Sequence, residues 1–281
     1  MTSIAEMPYL QETLLNQRYG YALDLVFDEA WNTSLTTLLS HSSVRAYLSK
    51  PLPVGTLEVL IAAAQSAATS SNLQTWSVIA VEDPDRKDRL AQLANGQAHI
   101  RQVPLFLVWL ADLARLNSIA EQRGLPHEGL DYFEMFLMSA IDASLAAQNA
   151  AIAAESLGLG TVYIGALRNS VQAVADELGL PPKVFPVFGL CIGYPDPSQP
   201  TAIKPRLPQS VVLHREQYSL AIQESAIKTY DEIMQKFYAE QNMTAQGDWS
   251  EHSSDRIATA DALRNRAHLR DTLNALGFKL R

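Results

Sequence analysis

An abrupt change of periodicity in the middle of the chain constrains its fold more than any other feature. Residues 143–154 read ASLAAQNAAIAA, a run of small residues without charge and with high helical propensity. Gly158 then supplies a C-terminal stop, and the β-branched and aromatic run TVYI follows at 161–164. A helix that gives way so quickly to a strand holds polar backbone at the strand end, just ahead of Gly165. Taken alone, Gly165 reads as an ordinary turn. Asp142 and Glu155 bracket the apolar stretch, and Gln148 and Asn149 interrupt it, so its length falls short of a membrane span and it reads as a buried helix.

Helical spacing of apolar residues recurs over 23–39, 57–68, 86–94 and 133–157, with further helices expected near 171–178 and in the C-terminal third. Strand-like runs at 77–81, 105–110, 161–164 and 184–192 lie among them. Such mixing implies a layered α/β or α+β domain. No repeat, charge block or Ser/Gly-rich linker divides the chain, so one domain over 32–281 is the simpler expectation, preceded by an extension over 1–31 that carries a possible amphipathic stretch at 9–21. Prolines 195, 197, 200, 205 and 208 mark an extended connection into a helical excursion from about 209 to 281.

With 47% hydrophobic residues in 281, the chain can bury a substantial core. Its net charge of -8 argues against a nucleic-acid partner, whose affinity comes from clustered Lys and Arg. The single cysteine, Cys191, lies in the apolar run VFPVFGLCIGYP and reads as a buried structural residue. The N-terminus lacks a basic segment followed by an apolar core, which makes cytoplasm the expected location. HExxH, CxxC-cluster, Walker, GxSxG and dinucleotide-binding glycine signatures are missing from the sequence, so metal catalysis, nucleotide hydrolysis and an esterase elbow have no local support.

Three short stretches share one chemical theme: HSSVR at 41–45, YIGALR at 163–168 and KPR at 204–206. A phosphate needs hydroxyls and fixed cations, and a flat redox ring needs backbone N–H groups that can approach closely. On their own, His41, Ser43 and Arg45 also read as a polar helix end, and Lys204 and Arg206 as a solvated loop, although Pro205 holds the latter pair in an extended backbone that can aim both cations at one anion. Thr69, Ser70, Asn72 and Gln97 supply short polar groups that serve equally as caps or turn formers. Trp76 reads as core, and Glu155 as structural.

Together with SSNLQTW (70–76), NGQ (95–97), the long match AAQNAAIAAESLGLGTVYIGALRN (146–169), FGLCIGYP (188–195) and KPRLP (204–208), these stretches resemble the oxygen-insensitive nitroreductases and NAD(P)H:FMN oxidoreductases, from about residue 32 to about 251. The resemblance implies an α+β fold, a nitroreductase-like three-layer α/β/α sandwich with a mainly antiparallel sheet. It also implies a homodimer with exchanged terminal segments and two FMN sites at the subunit interface. By that resemblance His41 and Ser43 face the ribityl phosphate and Arg45 the N1/C2 carbonyl edge of the ring, where a cation stabilises charge on reduced flavin. Lys204 and Arg206 reach the phosphate, Thr69, Ser70 and Asn72 form a flavin-facing turn, and Gln97 meets the ring edge. The backbone of Tyr163, Ile164, Gly165 and Ala166 lies against the dimethyl-to-N5 region.

Three departures stand out. Ser42 replaces a frequent arginine, Ala166 replaces a second glycine, and residues 239–249, AEQNMTAQGDW, lack the arginine with which relatives hold the 2′-phosphate of NADPH. The implied activity is a ping-pong hydride transfer from NAD(P)H through FMN to nitroaromatics, quinones or related acceptors, with no protein nucleophile. The alternatives are a flavin reductase that supplies reduced FMN, and a noncatalytic flavin-binding protein.

Overall fold

The computed structural model describes residues 7–23, 25, 29–243 and 247–281. Four strands, β1 (Trp76–Val81), β2 (Leu105–Asp112), β3 (Gly160–Ile164) and β4 (Val184–Gly193), form one sheet of order β1-β2-β4-β3 with every pairing antiparallel. In chain order the helices are α1 (Met7–Tyr19), α2 (Thr33–Leu39), α3 (Thr56–Gln65), α4 (Pro84–Leu93), α5 (Ala98–Gln102) and α6 (Ala114–Arg123). They continue as α7 (Phe133–Ser156), α8 (Val171–Leu178), α9 (Gln209–Val212), α10 (Glu224–Glu240), α11 (Trp249–Ile257) and α12 (Leu269–Ala275). The chain divides into two compact units, Met1–Ser42 with Thr201–Leu263, and Ser43–Pro200 with Arg264–Arg281.

The sheet belongs to the second unit. All eight residues of β2 are buried because helices cover both faces of this central strand. Side chains alternate across a strand, and so Leu105, Leu107 and Trp109 pack with Leu60 and Ala64 of α3 and Ala146, Ala147, Ala150, Ala151 and Ala154 of α7. Phe106, Val108 and Leu110 pack on the other side with Leu90 and Ala91 of α4, Ile100 of α5 and Val174 of α8. This is a helix–sheet–helix sandwich. The alanines let α7 lie close to the sheet, and Cys191 of β4 is completely buried, as its apolar context implies.

Pro186 stands inside β4, where it cannot donate to the ladder. The register shifts there, with Trp109 opposite Phe188 and Leu110 opposite Pro186, so that Val187 is left over as a bulge. Residues 264–281 close the end of the sheet: Leu273, Leu276 and Phe278 pack with Phe185, and Phe136 meets Phe185 and Phe278 edge-on at 5.5 and 5.4 Å.

In the first unit, Leu14 and Leu15 of α1 and Tyr230 and Met234 of α10 are buried. Gly20 has φ +75 and faces Ile233 so closely that no Cβ fits there. Between α10 and α11, Asp231 accepts hydrogen bonds from the backbone N and the Oγ of Ser250 at 2.9 and 2.7 Å.

Two expectations need correction. The helix expected over 23–39 is confined among the described residues to Thr33–Leu39, because Asn32 caps it by accepting from Leu35 N at 3.0 Å; residues 24 and 26–28 lie outside the described residues. The helix expected over 133–157 is α7, whose 24 residues are long and apolar enough to cross a membrane, so the argument that the 143–154 stretch is too short for a span does not hold. Its nine buried residues are nonetheless those of a core helix packed on a sheet, so the inference of a buried helix stands on packing rather than on length.

Candidate functional site

The segment after Ser43 runs beside β3, an edge strand. Ser43 bridges Thr161 in parallel, Val44 N donates to Thr161 O at 2.9 Å, and Tyr47 bridges Pro195. Val44 and Tyr47 turn into the core while Ser43 is half-buried and Arg45 exposed, so alternation delivers Ser43 and Arg45 to the surface beside the strand. Gly160 makes the approach possible: a Cβ there would lie 2.8 Å from the Cβ of Val44. The charge of Arg45 reaches α5. Burial first, and the Arg45 guanidinium second, push the pKa of His99 down, and its buried Nε2 has no hydrogen-bond partner among the described residues. Gln97 is the N-cap of the same helix, yet its side chain makes no capping bond, which leaves the carboxamide available.

β3 ends at Ile164 and passes directly into a short 3-10 turn, Gly165–Asn169. The first amides of a helical turn lack internal acceptors, and Ile164 gives no side-chain cap, so the Gly165 and Ala166 N–H groups stand as donors at the strand end. Ala166 is absent from the positive-φ residues, so its methyl group costs no backbone strain and the departure from glycine is tolerated. Arg168 Nη1 donates to the carbonyl of the bulged Val187 at 2.6 Å, which places the guanidinium 3.3 Å from where a Cβ on Gly165 would sit. Tyr163 turns its side chain away from this end: its hydroxyl donates to Gln148 Oε1 at 3.2 Å, its ring meets Phe188 edge-on at 5.1 Å, and burial raises its pKa. The backbone of Tyr163 is what remains for a ligand.

The Thr69–Asn72 turn is built by a residue that sequence reasoning missed. Asp142 on α7 is 2% exposed and accepts from Thr69 Oγ1 at 2.6 Å, Ser70 N at 3.3 Å, Thr75 N at 3.1 Å and Thr75 Oγ1 at 3.0 Å. Ser71, Asn72 and Gln74 all have φ near +50, a concentration of left-handed backbone that needs such an anchor. Asn72 Oδ1 accepts from Gln74 Nε2 at 3.3 Å. This turn leads into β1, whereas Ser43, Arg45 and Gly165 attend β3, and the two strands are the opposite edges of the sheet. Three interstrand spacings, about 14 Å, separate the edges. One copy therefore does not bring the 69–72 turn to the β3 edge.

In the first unit, His41, Lys204 and Arg206 are drawn together by Arg18 of α1, which is 8% exposed. Its guanidinium donates to the carbonyls of Leu39, His41 and Lys204 at 2.9, 2.9 and 3.1 Å, and its own carbonyl accepts from Arg206 N at 2.8 Å. Tyr230 donates its hydroxyl to Pro205 O at 2.9 Å, so the Lys–Pro–Arg backbone is held from both sides. Burial raises the Tyr230 pKa, and the nearby charge of Arg206 works in the opposite direction. Lys204 Nζ lies about 6 Å from the rings of Phe237 and Tyr238 (6.0 and 5.9 Å). Ser42, where relatives often carry arginine, shares a 2.7 Å hydrogen bond with Thr201. Glu155 accepts from Thr161 Oγ1 at 2.6 Å, a structural role as its sequence context implies.

Arg18, His99, Asp142 and Arg168 are thus the additions of the structure. Only Arg168 carried a signal, as the last residue of the YIGALR stretch; the partners of Arg18 and Asp142 are distant in sequence.

The antiparallel sheet with its two helical layers defines an α+β fold. The profile described as Nitroreductase family matches residues 38–194, and that described as Nitroreductase family, C-terminal domain, matches 204–281. The chain belongs to the nitroreductase family. It is 38% identical over 251 residues to FMN reductase (NADPH) of Bacillus subtilis, covering 88% of this chain and 98% of that protein. Against the oxygen-insensitive NADPH nitroreductase of Salmonella typhimurium it is 37% identical over 220 residues, covering 78% of this chain and 88% of the relative. The solved structure of the hypothetical oxidoreductase YcnD from Bacillus subtilis superposes with a TM-score of 0.84 at 37% identity, covering 89% of this chain and all of that one (100%).

Proposed function

We propose that this protein is an FMN-dependent oxidoreductase that takes reducing equivalents from NAD(P)H and passes them, in a ping-pong cycle, to nitroaromatics, quinones or related small acceptors. FMN, when bound, supplies the hydride-accepting and hydride-donating chemistry. What supports the reading is the β3 edge: Gly165 and Ala166 open the turn that follows the strand, and the Ser43–Arg45 segment runs beside the same strand, so that their amides and the Arg45 charge would serve one planar ring. Tyr163 and Ile164 contribute backbone there, and Gln97 a ring-edge contact. His41, Ser43, Lys204 and Arg206 are assigned to the phosphate.

Thr69, Ser70 and Asn72 lie at the wrong edge to serve the same ring, which supports a homodimer in which a second copy supplies them. A stripe of exposed apolar residues along α7, Phe133, Leu137, Ile141 and Leu145 at 50, 43, 50 and 44% exposure, recurs every four residues and suits such an interface. Exchange of terminal segments, an extension over 1–31, one domain over 32–281 with an excursion from about 209, and a cytoplasmic enzyme without membrane or nucleic-acid partners complete the proposal.

The protein is expected to purify yellow with noncovalent FMN and to oxidise NAD(P)H. Replacing both Lys204 and Arg206 with Ala should weaken FMN retention by about 1.5–3 kcal/mol for each charge-assisted hydrogen bond lost. A colourless protein that neither binds added FMN nor oxidises NAD(P)H would sink the reading. The likeness to an FMN reductase favours a second reading, a flavin reductase that releases reduced FMN; the ratio of kcat/KM for free FMN to that for a nitroaromatic separates it from the first. A noncatalytic flavin-binding protein would hold FMN without oxidising NAD(P)H.

A further inference from the structure

The helix ahead of the family match has no role in the reading above. Its Arg18 side chain is almost wholly buried, and all three of its acceptors among the hydrogen bonds given above are backbone carbonyls of the segments that carry His41 and Lys204. Leu39 is the last residue of α2, where carbonyls lack internal donors and a cation is favoured. A planar guanidinium with fixed donors can hold three carbonyls in one geometry, which a flexible ammonium does less well. Through its carbonyl Arg18 also fixes the amide of Arg206. The family profile begins at residue 38, so this fastening comes from outside it.

We infer that Arg18 is a positioning residue for the FMN phosphate: it joins the His41 segment to the Lys204–Arg206 segment, so that the His41 donor and the Lys204 and Arg206 cations are spaced for one anion before the cofactor arrives. The inference rests on the assignment of Lys204 and Arg206 to the phosphate. Preorganised cations bind an anion more tightly because their ordering is already complete in the free protein. α1 would then be a functional part of the cofactor site. Without the Arg18 guanidinium the link from the Leu39 and His41 carbonyls to the Lys204 carbonyl is lost, while Tyr230 still holds Pro205 and the ring contacts at the β3 edge keep their own supports.

The test compares FMN with riboflavin, the same ring without the phosphate, by fluorescence titration of the apoprotein of the full chain. Wild type should prefer FMN strongly. In Arg18→Ala that preference should fall by about tenfold or more, equivalent to about 1.4 kcal/mol, through weaker FMN binding alone, with riboflavin affinity unchanged. Arg18→Lys should recover part of the loss. Equal weakening of both flavins, or an unchanged preference in Arg18→Ala, overturns the inference; if Arg18→Ala does not fold, an Arg18→Lys protein with the full wild-type preference does so. A wild-type preference that survives Lys204→Ala/Arg206→Ala instead overturns the phosphate assignment, and the role of Arg18 with it.

Discussion

Arg45 owes its place to its neighbours. Val44 and Tyr47 are held in the core, Tyr47 donates its hydroxyl to Val44 O at 2.8 Å, and Arg45, which follows Val44, is left at the surface beside β3. In the proposed site a guanidinium there would stabilise negative charge on a reduced flavin without moving a proton. Arg45→Ala is expected to retain FMN, to lower its reduction potential and to slow its reduction at saturating nicotinamide by about tenfold or more, read by stopped-flow absorbance. An FMN-loaded variant with unchanged rate and potential would remove Arg45 from the ring. The exposure of Arg45 was legible in the sequence only as the usual place of a long charged side chain. Asp142 is different: it binds residues 67 to 73 positions earlier, and nothing in the sequence around it announces a carboxylate that collects two hydroxyls and two amides.

At the scale of elements, the C-terminal segment is tied to the start of α7 by charge. Asp131 accepts from Lys279 Nζ at 2.7 Å and Lys183 Nζ at 3.1 Å, and Arg281 N donates to Asp131 O at 3.0 Å. The hydrogen bond from Lys279, then that from Lys183, holds the Asp131 carboxyl below the usual carboxylate range. A carboxyl with a depressed folded pKa adds stability that is complete above its unfolded pKa of about 3.9 and is lost as pH falls through the folded value. Lys279 is mostly exposed, so solvent screens its share. Asp131→Asn should therefore cost about 1–3 kcal/mol at pH 7, and the gap from wild type should close progressively below about pH 4. Urea unfolding at pH 7, 4 and 3 checks this, and a gap that stays constant would exclude the ion pairs as its cause.

The connection from α10 to α11 carries a second expectation. Residues 239–249 contain no Arg or Lys, so NADPH should be preferred to NADH only weakly or not at all, although relatives bear NADPH in their names. Residues 244–246 lie outside the described residues. The ratio of kcat/KM for the two donors is the measurement, and a hundredfold preference for NADPH, about 2.7 kcal/mol, would reveal another cationic site.

Strands and most helices were legible because burial imposes their periods: 171–178 and 184–192 reappear as Val171–Leu178 and Val184–Gly193. The stretch 23–39 is helical among the described residues only over Thr33–Leu39, and α2 has no buried residue to fix its period. Of the site, the Gly158-to-Gly165 passage was legible as a helix stop and strand end. Arg18 was not, since its partners depend on tertiary approach over 21, 23 and 186 residues.

For the molecule as a whole, the proposed dimer joins assembly to cofactor retention. Ile141→Glu puts a charge in the middle of the exposed α7 stripe, and the variant is expected to run as a monomer in light scattering and to lose flavin along with its partner. A monomer that keeps its full complement of FMN would refute the shared site, and an intact dimer would move the interface elsewhere. The burial of Cys191 has a different use. It is the chain's one cysteine, fully enclosed on β4, and that enclosure raises its thiol pKa. A thiol so placed reacts only when the sheet around it opens. An alkylating reagent added to the native enzyme is thus a clock for opening of the central sheet, and the labelling rate with and without FMN reads how much the cofactor stabilises that sheet, without any engineered probe.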